Sequence, residues 1–211
     1  MGQRGQQTRP FYTVLNINKE VRIMKKTSIV LIGIIAIFLV IGGILASSYN
    51  NMVSKKETVE NTLSDLDVML QRRADLIPNL VSTVKGYMNH ESEIINQVTE
   101  ARKNLMNANT VSEKLDANEE LTHSLQALMV VVENYPELKS SSNFIQLSDE
   151  LAGTENRISV ARRDYNMAVS QYNTTIKKFP NMIFASLFGF EKENYYEAEA
   201  SSTKVPSVSF E

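Results

Sequence analysis

The chain has 211 residues, 43% of them hydrophobic, enough for one membrane-spanning segment and one packed domain of roughly 150 residues. It has no cysteine, which excludes disulfide scaffolds, thiol nucleophiles and thiolate zinc sites. The net charge of −2 is uneven: the first 48 residues hold six basic groups and one acid, leaving −7 on the rest, which repels phosphate backbones and argues against nucleic-acid binding.

Residues 1–27 form a short basic segment (Arg4, Arg9, Lys19, Arg22, Lys25, Lys26). Residues 1–23 have no sustained period and read as an extension. Met24-Lys25-Lys26 ahead of an apolar run reads as a start, so translation is expected to begin at Met24, which an intact mass would test. Ser28 to Ala46 is uncharged and would form a helix roughly 28 Å long, close to the thickness of the bilayer hydrocarbon. Two other readings stand beside a membrane span over 28–48. One is a buried core helix, which seldom lacks a polar face over such a length. The other is a cleaved signal peptide with Ala46-Ser47-Ser48 as its site, although its apolar region would be longer than usual. An uncleaved anchor is favoured. Arg22, Lys25 and Lys26 abut the run, whereas Lys55 and Lys56 lie further off on the other side, so the N-terminus is expected in the cytoplasm and the bundle outside. Gly42 and Ala46 make a small-xxx-small pair that would let two spans pack closely, leaving homo-oligomers open.

From residue 49 to 197 the sequence predicts helices. Beyond residue 48 the only glycines are Gly86, Gly153 and Gly189, too few to punctuate anything but long helices. An apolar stripe runs Met52, Val59, Leu63, Leu66, Leu70, Ala74, Ile77, Val81, Val84, Met88, Ile95, Val98, Ala101, Leu105 in steps of three, four or seven, and reads as one first helix. Pro78 lies inside it and is expected to bend it without ending it. Thr110-Val111-Ser112-Glu113 is a capping box that opens a second helix with Leu115, Leu125, Leu128, Val132 and Tyr135 inward. The loop Ser140-Ser141-Ser142-Asn143 offers several cap residues for a third, with Gln146 three beyond Asn143. That helix carries Phe144, Leu147, Leu151, Ile158, Ala161, Tyr165, Ala168, Tyr172, Ile176 and Phe179, and Phe179-Pro180 closes it. A short apolar piece from Met182 to Phe190 packs across the bundle, and residues 198–211 form a tail. The expected fold is all-α: an N-terminal transmembrane helix, then an antiparallel bundle of three long helices and one short one.

Two segments resemble a known family. Gln71–Tyr87, QRRADLIPNLVSTVKGY, and Tyr135–Pro180, YPELKSSSNFIQLSDELAGTENRISVARRDYNMAVSQYNTTIKKFP, look like signatures of the LemA family. FGFEKENYYEAEA and the closing Val-Ser-Phe are similar to its C-terminal end. The resemblance covers Met24 to Glu211, and residues 1–23 lie outside it. It implies a bacterial membrane-anchored four-helix bundle without established catalytic activity.

Reaction chemistry is sparse. Three isolated glycines cannot build a phosphate-cradling loop. His90 and His123 are the only histidines, neither at metal-ligand spacing, so no metal, cofactor or catalytic residue is assigned. Asp65 and Asp67, like Asp149 and Glu150, diverge on their helices and read as solvated acids. The polar candidates are Arg72, Arg73 and Asp75 before Pro78, with Glu155, Asn156, Arg162, Tyr165 and Asn166 on the third helix. Glu155 and Arg162 share one helical line, Tyr165 and Tyr172 another, and Asn166 and Asn173 a third. They read either as a surface for a partner or lipid headgroups, or as a network that sets helix register. The expected function is a non-enzymatic scaffold or adaptor at the envelope, bound to membrane lipid through its span and to a protein partner. A sensor or signal-relay ectodomain is the alternative, and an enzyme acting on lipid or cell wall a distant third.

Overall fold

The computed structural model describes residues 11–88 and 91–196, with side chains from Ser28 onward. The side chains of the N-terminal extension, His90 and the tail over 198–211 lie outside the described residues. Those described form six helices and no strand: α1 (Phe11–Lys85), α2 (Ser92–Asn107), α3 (Val111–Val132), α4 (Pro136–Lys139), α5 (Ser142–Lys177) and α6 (Asn181–Phe188). The chain divides into two compact units, Met1–Asn50 and Asn51–Glu211.

In the first unit the apolar run is a helix with a mean hydropathy of 3.1 over its best window, none of it buried. Ile29, Phe38 and Leu39 are among the most exposed apolar side chains of the molecule. Such a helix, apolar all round and uncovered by protein, has the length and composition to cross a membrane.

The second unit is an up-down-up-down four-helix bundle of α1, α2, α3 and α5. Lys55 Nζ donates to Gln171 Oε1, and Arg73 pairs with Glu155, so moving up α1 means moving down α5. Lys114 pairs with Asp67 and Asn118 with Arg73, so α3 runs parallel to α1. The short turns on either side of α2 make it antiparallel to both. The core is mostly aliphatic: Leu66, Leu70, Ile77, Leu80, Val84, Val98, Leu121, Leu128 and Ile158 are all buried.

The all-α four-helix bundle is as expected, but the helices divide differently. The first stripe is two helices. α1 ends at Lys85, the chain turns through Gly86 and Tyr87, and Met88 still donates its N–H to the Val84 carbonyl. The seven-residue step from Met88 to Ile95 keeps the apolar period across the turn, which hides the break. Gly86 marked it: an added Cβ there would sit 3.3 Å from the Thr83 carbonyl oxygen. Phe179 is a second correction, for α5 stops at Lys177 and Phe179 is 79% exposed. The cap of α5 is Ser141, one of the residues of the expected capping loop, without a side-chain cap bond.

The capping box of α3 forms as expected: Thr110 Oγ1 accepts from the Glu113 N–H, and Glu113 Oε2 accepts from the Thr110 and Asn109 N–H groups. These bonds to the ionised form hold the Glu113 carboxyl below its ordinary range. Pro78 does not stop α1. Lacking an N–H, it leaves the Ala74 carbonyl without its helical donor. Arg102 of α2 fills that vacancy, its Nε donating to the Ala74 oxygen at 2.8 Å. The proline thereby becomes an attachment point for α2.

Candidate functional site

Below its midpoint the bundle runs out of helices. The Lys114–Asp67 pair sets the α2–α3 turn beside the middle of α1's bundle segment, while α1 continues down to Met52 and α5 down to Lys177. The missing wall comes from α6 and from an extended strap, residues 190–196. Gly189 ends α6 with φ of +73°, a left-handed conformation that favours glycine, and turns the chain back along α5.

An extended segment with no neighbouring strand needs other partners for its backbone N–H and C=O groups. The two Tyr-Asn pairs of α5, one heptad apart, supply them. Asn173 Nδ2 donates to the Glu193 carbonyl while its Oδ1 accepts from the Glu193 N–H. Asn166 does the same with Tyr196, at 2.9 and 2.8 Å. Tyr172 and Tyr165 donate their hydroxyls to the carbonyls of Glu191 and Asn194. All six bonds address strap backbone only. Burial, with the charges of Glu191 and Glu193 nearby, raises the Tyr172 phenol, and burial with Glu193 raises that of Tyr165.

The strap's last described side chain, Tyr196, enters a polar cluster at the junction of the two halves. Its ring lies under the Arg162 guanidinium, 4.6 Å from centroid to Cζ. Arg73, 4% exposed, occupies the centre. Its Nη1 donates to Asn118 Oδ1 at 2.6 Å and to Thr122 Oγ1 at 3.0 Å, and lies 2.6 Å from Glu155 Oε2. The two Nη1 protons are used by the α3 acceptors, so the Glu155 contact is an ion pair without an aligned hydrogen bond. Among the described residues, Arg73 Nε and the Tyr196 hydroxyl have no hydrogen-bond partner. Burial lowers the Arg73 pKa, opposed by Glu155 and Tyr196. Burial also pushes the Tyr196 phenol up to about 12, against the pull of Arg162.

The sequence candidates therefore separate. Arg73 and Tyr165, both buried, and Glu155, Arg162 and Asn166, all half-buried, come together where α1, α3, α5 and the strap meet. Arg72, Asp75 and Asn156 are exposed. Asp75 accepts from Gln71 on its own helix. Asn118, Thr122, Tyr196 and Arg102 were not singled out from sequence. Asn118 carried a signal, a polar residue on the inward line of α3 three beyond Leu115.

Arg72 and Asn156 face a different feature. Two adjoining clefts share Arg157 and run between α1 and α5. One, about 590 Å³, is lined by Arg72, Gln146, Asp149, Thr154 and Arg157 among others. The other, about 410 Å³, has Met69, Val160 and Ala161 as its apolar floor, with Asn156 and Arg157 beside Asp65 and Asp164. Val160 is half exposed. Among the described residues no three His, Asp or Glu side chains group as a metal site.

Comparison with known proteins gives a match to the LemA family over residues 62–210. The chain is 28% identical over 179 residues to the magnetosome proteins MamQ 1 and MamQ 2 of Paramagnetospirillum magneticum, covering 72% of this chain and 66% of each relative. It is 26% identical over 188 residues to MamQ of Magnetospirillum gryphiswaldense, covering 76% and 69%. It is 26% identical over 131 residues to Protein LemA of Metamycoplasma hominis, covering 62% and 60%. The match thus spans just under two thirds of the two Paramagnetospirillum proteins.

Proposed function

The chain belongs to the LemA family, and we propose that it acts as a non-catalytic adaptor at the cell envelope, engaging a protein partner along the α1–α5 groove. It is a LemA-type membrane protein with one apolar helix long enough to cross a bilayer. The names of its relatives, LemA and MamQ, specify no reaction. The observation that carries the adaptor reading is the groove. Arg72 and Arg157 project from different helices onto the two adjoining clefts, which also carry Asp65, Asp149, Glu150 and Asp164, and neither arginine is engaged in an ion pair within the described residues. Elsewhere most buried polar side chains of the bundle are bonded within it, as Asn118, Thr154 and Asn173 are. Clefts with apolar side chains and both signs of charge at their rim suit an amphipathic helical segment with acidic and basic side chains between apolar ones. The bundle stands outside and the N-terminus inside, supported by Arg22, Lys25 and Lys26 at the head of the apolar run.

The test is capture from native membranes by the full chain and by an Arg72→Glu/Arg157→Glu variant. A reproducible protein partner should be recovered with the first and lost with the second, while thermal unfolding moves little, since both sites are exposed. Equal recovery by both forms, or recovery of the chain alone across several detergents, refutes the reading. A sensor or relay role is the second reading, supported by α1 being a single helical element that includes both the apolar run and the first bundle segment. Inserting one residue at Ser54 rotates that helix by about 100°. An unchanged phenotype would eliminate the relay.

A further inference from the structure

α6 is apolar on both sides. Its inward side is used: Ala185 is buried and Phe184 packs on the core. Its outward side is not. Met182 and Ile183 are each 55% exposed and Leu187 is 72% exposed, with Phe179 just ahead of the helix. A helix apolar all round is normally covered all round, by protein or by hydrocarbon. Here one cover is missing.

The place of α6 identifies the cover. α1 and α5 are antiparallel, so the last turn of α5 lies at the end of the bundle where α1 enters it at Met52. The strap confirms that end: from Glu191 to Tyr196 it ascends α5 from Tyr172 to Asn166, so α6 sits below both. Met52 is only six residues beyond Ala46, the last residue of the membrane-crossing run. Six residues reach at most about 20 Å in any conformation. The α6 end of the bundle is therefore tethered within that distance of the bilayer surface.

We propose that the outward face of α6, Met182, Ile183 and Leu187 with Phe179, inserts into the membrane interface. It is a second, peripheral lipid contact beside the spanning helix. Lys177 and Lys178, both exposed, immediately precede the patch and can direct their ammonium groups to headgroups. Glu191 and Glu193 follow it, so the attraction is apolar first, and neutral lipid suffices. The proposal rests on the membrane anchor and is independent of any partner in the groove.

The chain has no tryptophan, so single tryptophans report cleanly. Full-length Leu187→Trp, Phe38→Trp and Val130→Trp are reconstituted into phosphatidylcholine vesicles with or without bromine on the acyl chains. Phe38 marks the span. Val130, 71% exposed near the end of α3, marks the opposite end of the bundle. Leu187→Trp is expected to be quenched by bromolipid several-fold more than Val130→Trp, and to resist aqueous iodide. If Phe38→Trp is quenched by bromolipid while Leu187→Trp behaves like Val130→Trp, the α6 contact is refuted and the anchor stands. If Phe38→Trp also escapes bromolipid, the anchor fails and the proposal with it. Shielding of Leu187→Trp from both quenchers means a protein covers α6, which likewise overturns the proposal. Should Leu187→Trp lose helicity, Ile183→Cys carrying an environment-sensitive fluorophore reads the same outcomes.

Discussion

The upper half of the bundle is held by apolar seams among four helices, whereas the lower half is held by side chains that grip an extended strap. Above, Leu70, Ile77, Leu80, Leu121, Leu128 and Ile158 are buried together, and the helices pair their own backbone groups, the Ala74 carbonyl beside Pro78 being taken by Arg102. Below, three of the largest buried side chains are tyrosines, Tyr165, Tyr172 and Tyr196, and part of the wall beside α5 is an extended strap. The difference follows from backbone chemistry. A helix brings its hydrogen bonds with it and needs only grease from its neighbours. An extended segment brings unpaired donors and acceptors, so its neighbour must be polar at matched spacing. Heptad-spaced Tyr-Asn pairs meet that demand on a helix that also buries Leu151, Ile158, Ala168 and Ile176 in the core.

The largest expected effect lies at the junction of the halves. Glu155→Ala leaves the buried Arg73 guanidinium without its counter-charge and should cost about 2–4 kcal/mol, the lower end reflecting the partial exposure of Glu155. A double Arg73→Met/Glu155→Leu replacement should recover most of that loss in urea unfolding. If Glu155→Ala is neutral, the two halves are not coupled through this pair.

The ladder comes next. Asn173→Ala removes two bonds and strands two backbone groups of Glu193, at a cost of about 1–3 kcal/mol. Hydrogen exchange should accelerate over residues 190–196 while α2 and α3 keep their protection. Uniform acceleration across the bundle would mean the lower half is no separate unit.

Arg102→Ala tests the upper half. It unpairs the Ala74 carbonyl and should cost about 1–2 kcal/mol, and less in a Pro78→Ala background, where the restored N–H takes that carbonyl back. Strict additivity of the two changes would refute the link between Pro78 and Arg102.

The smallest effect at neutral pH is expected at Tyr196. Its hydroxyl has no hydrogen-bond partner among the described residues, so Tyr196→Phe should change stability by less than about 1 kcal/mol. The pH dependence is more informative. The folded phenol is raised from 10 to about 12, so its stabilisation is complete below pH 10 and is lost as pH rises through 12. Tyr196→Phe should flatten the alkaline fall in unfolding midpoint. Tyr165 and Tyr172, raised in the same direction, keep part of it.

Much of this was legible in the chain. The residues of the first apolar stripe are buried or half-buried from Met52 to Leu105, because helical period reports which side faces the core. The capping box over Thr110 and Glu113 is local chemistry and formed where its spacing placed it. The lines through Tyr165 and Tyr172 and through Asn166 and Asn173 were visible as heptads, but their occupant was not. The strap carries no period of its own, and six bonds to its backbone leave no trace in its side-chain sequence. Nor could Arg102 be matched to Ala74, since a carbonyl freed by Pro78 is chemically anonymous in sequence.

Periodicity, caps and the uncharged run from Ser28 to Ala46 are properties of neighbouring residues, and they determined helix content, the inward faces and a helix long and apolar enough to cross a membrane. Which helix lies beside which, where the first stripe folds back on itself, and what the polar residues of α5 hold depend on groups far apart in the chain. Only the packed bundle decided those, because a buried charge or an unpaired amide acquires its partner from whatever the fold brings within about 3 Å.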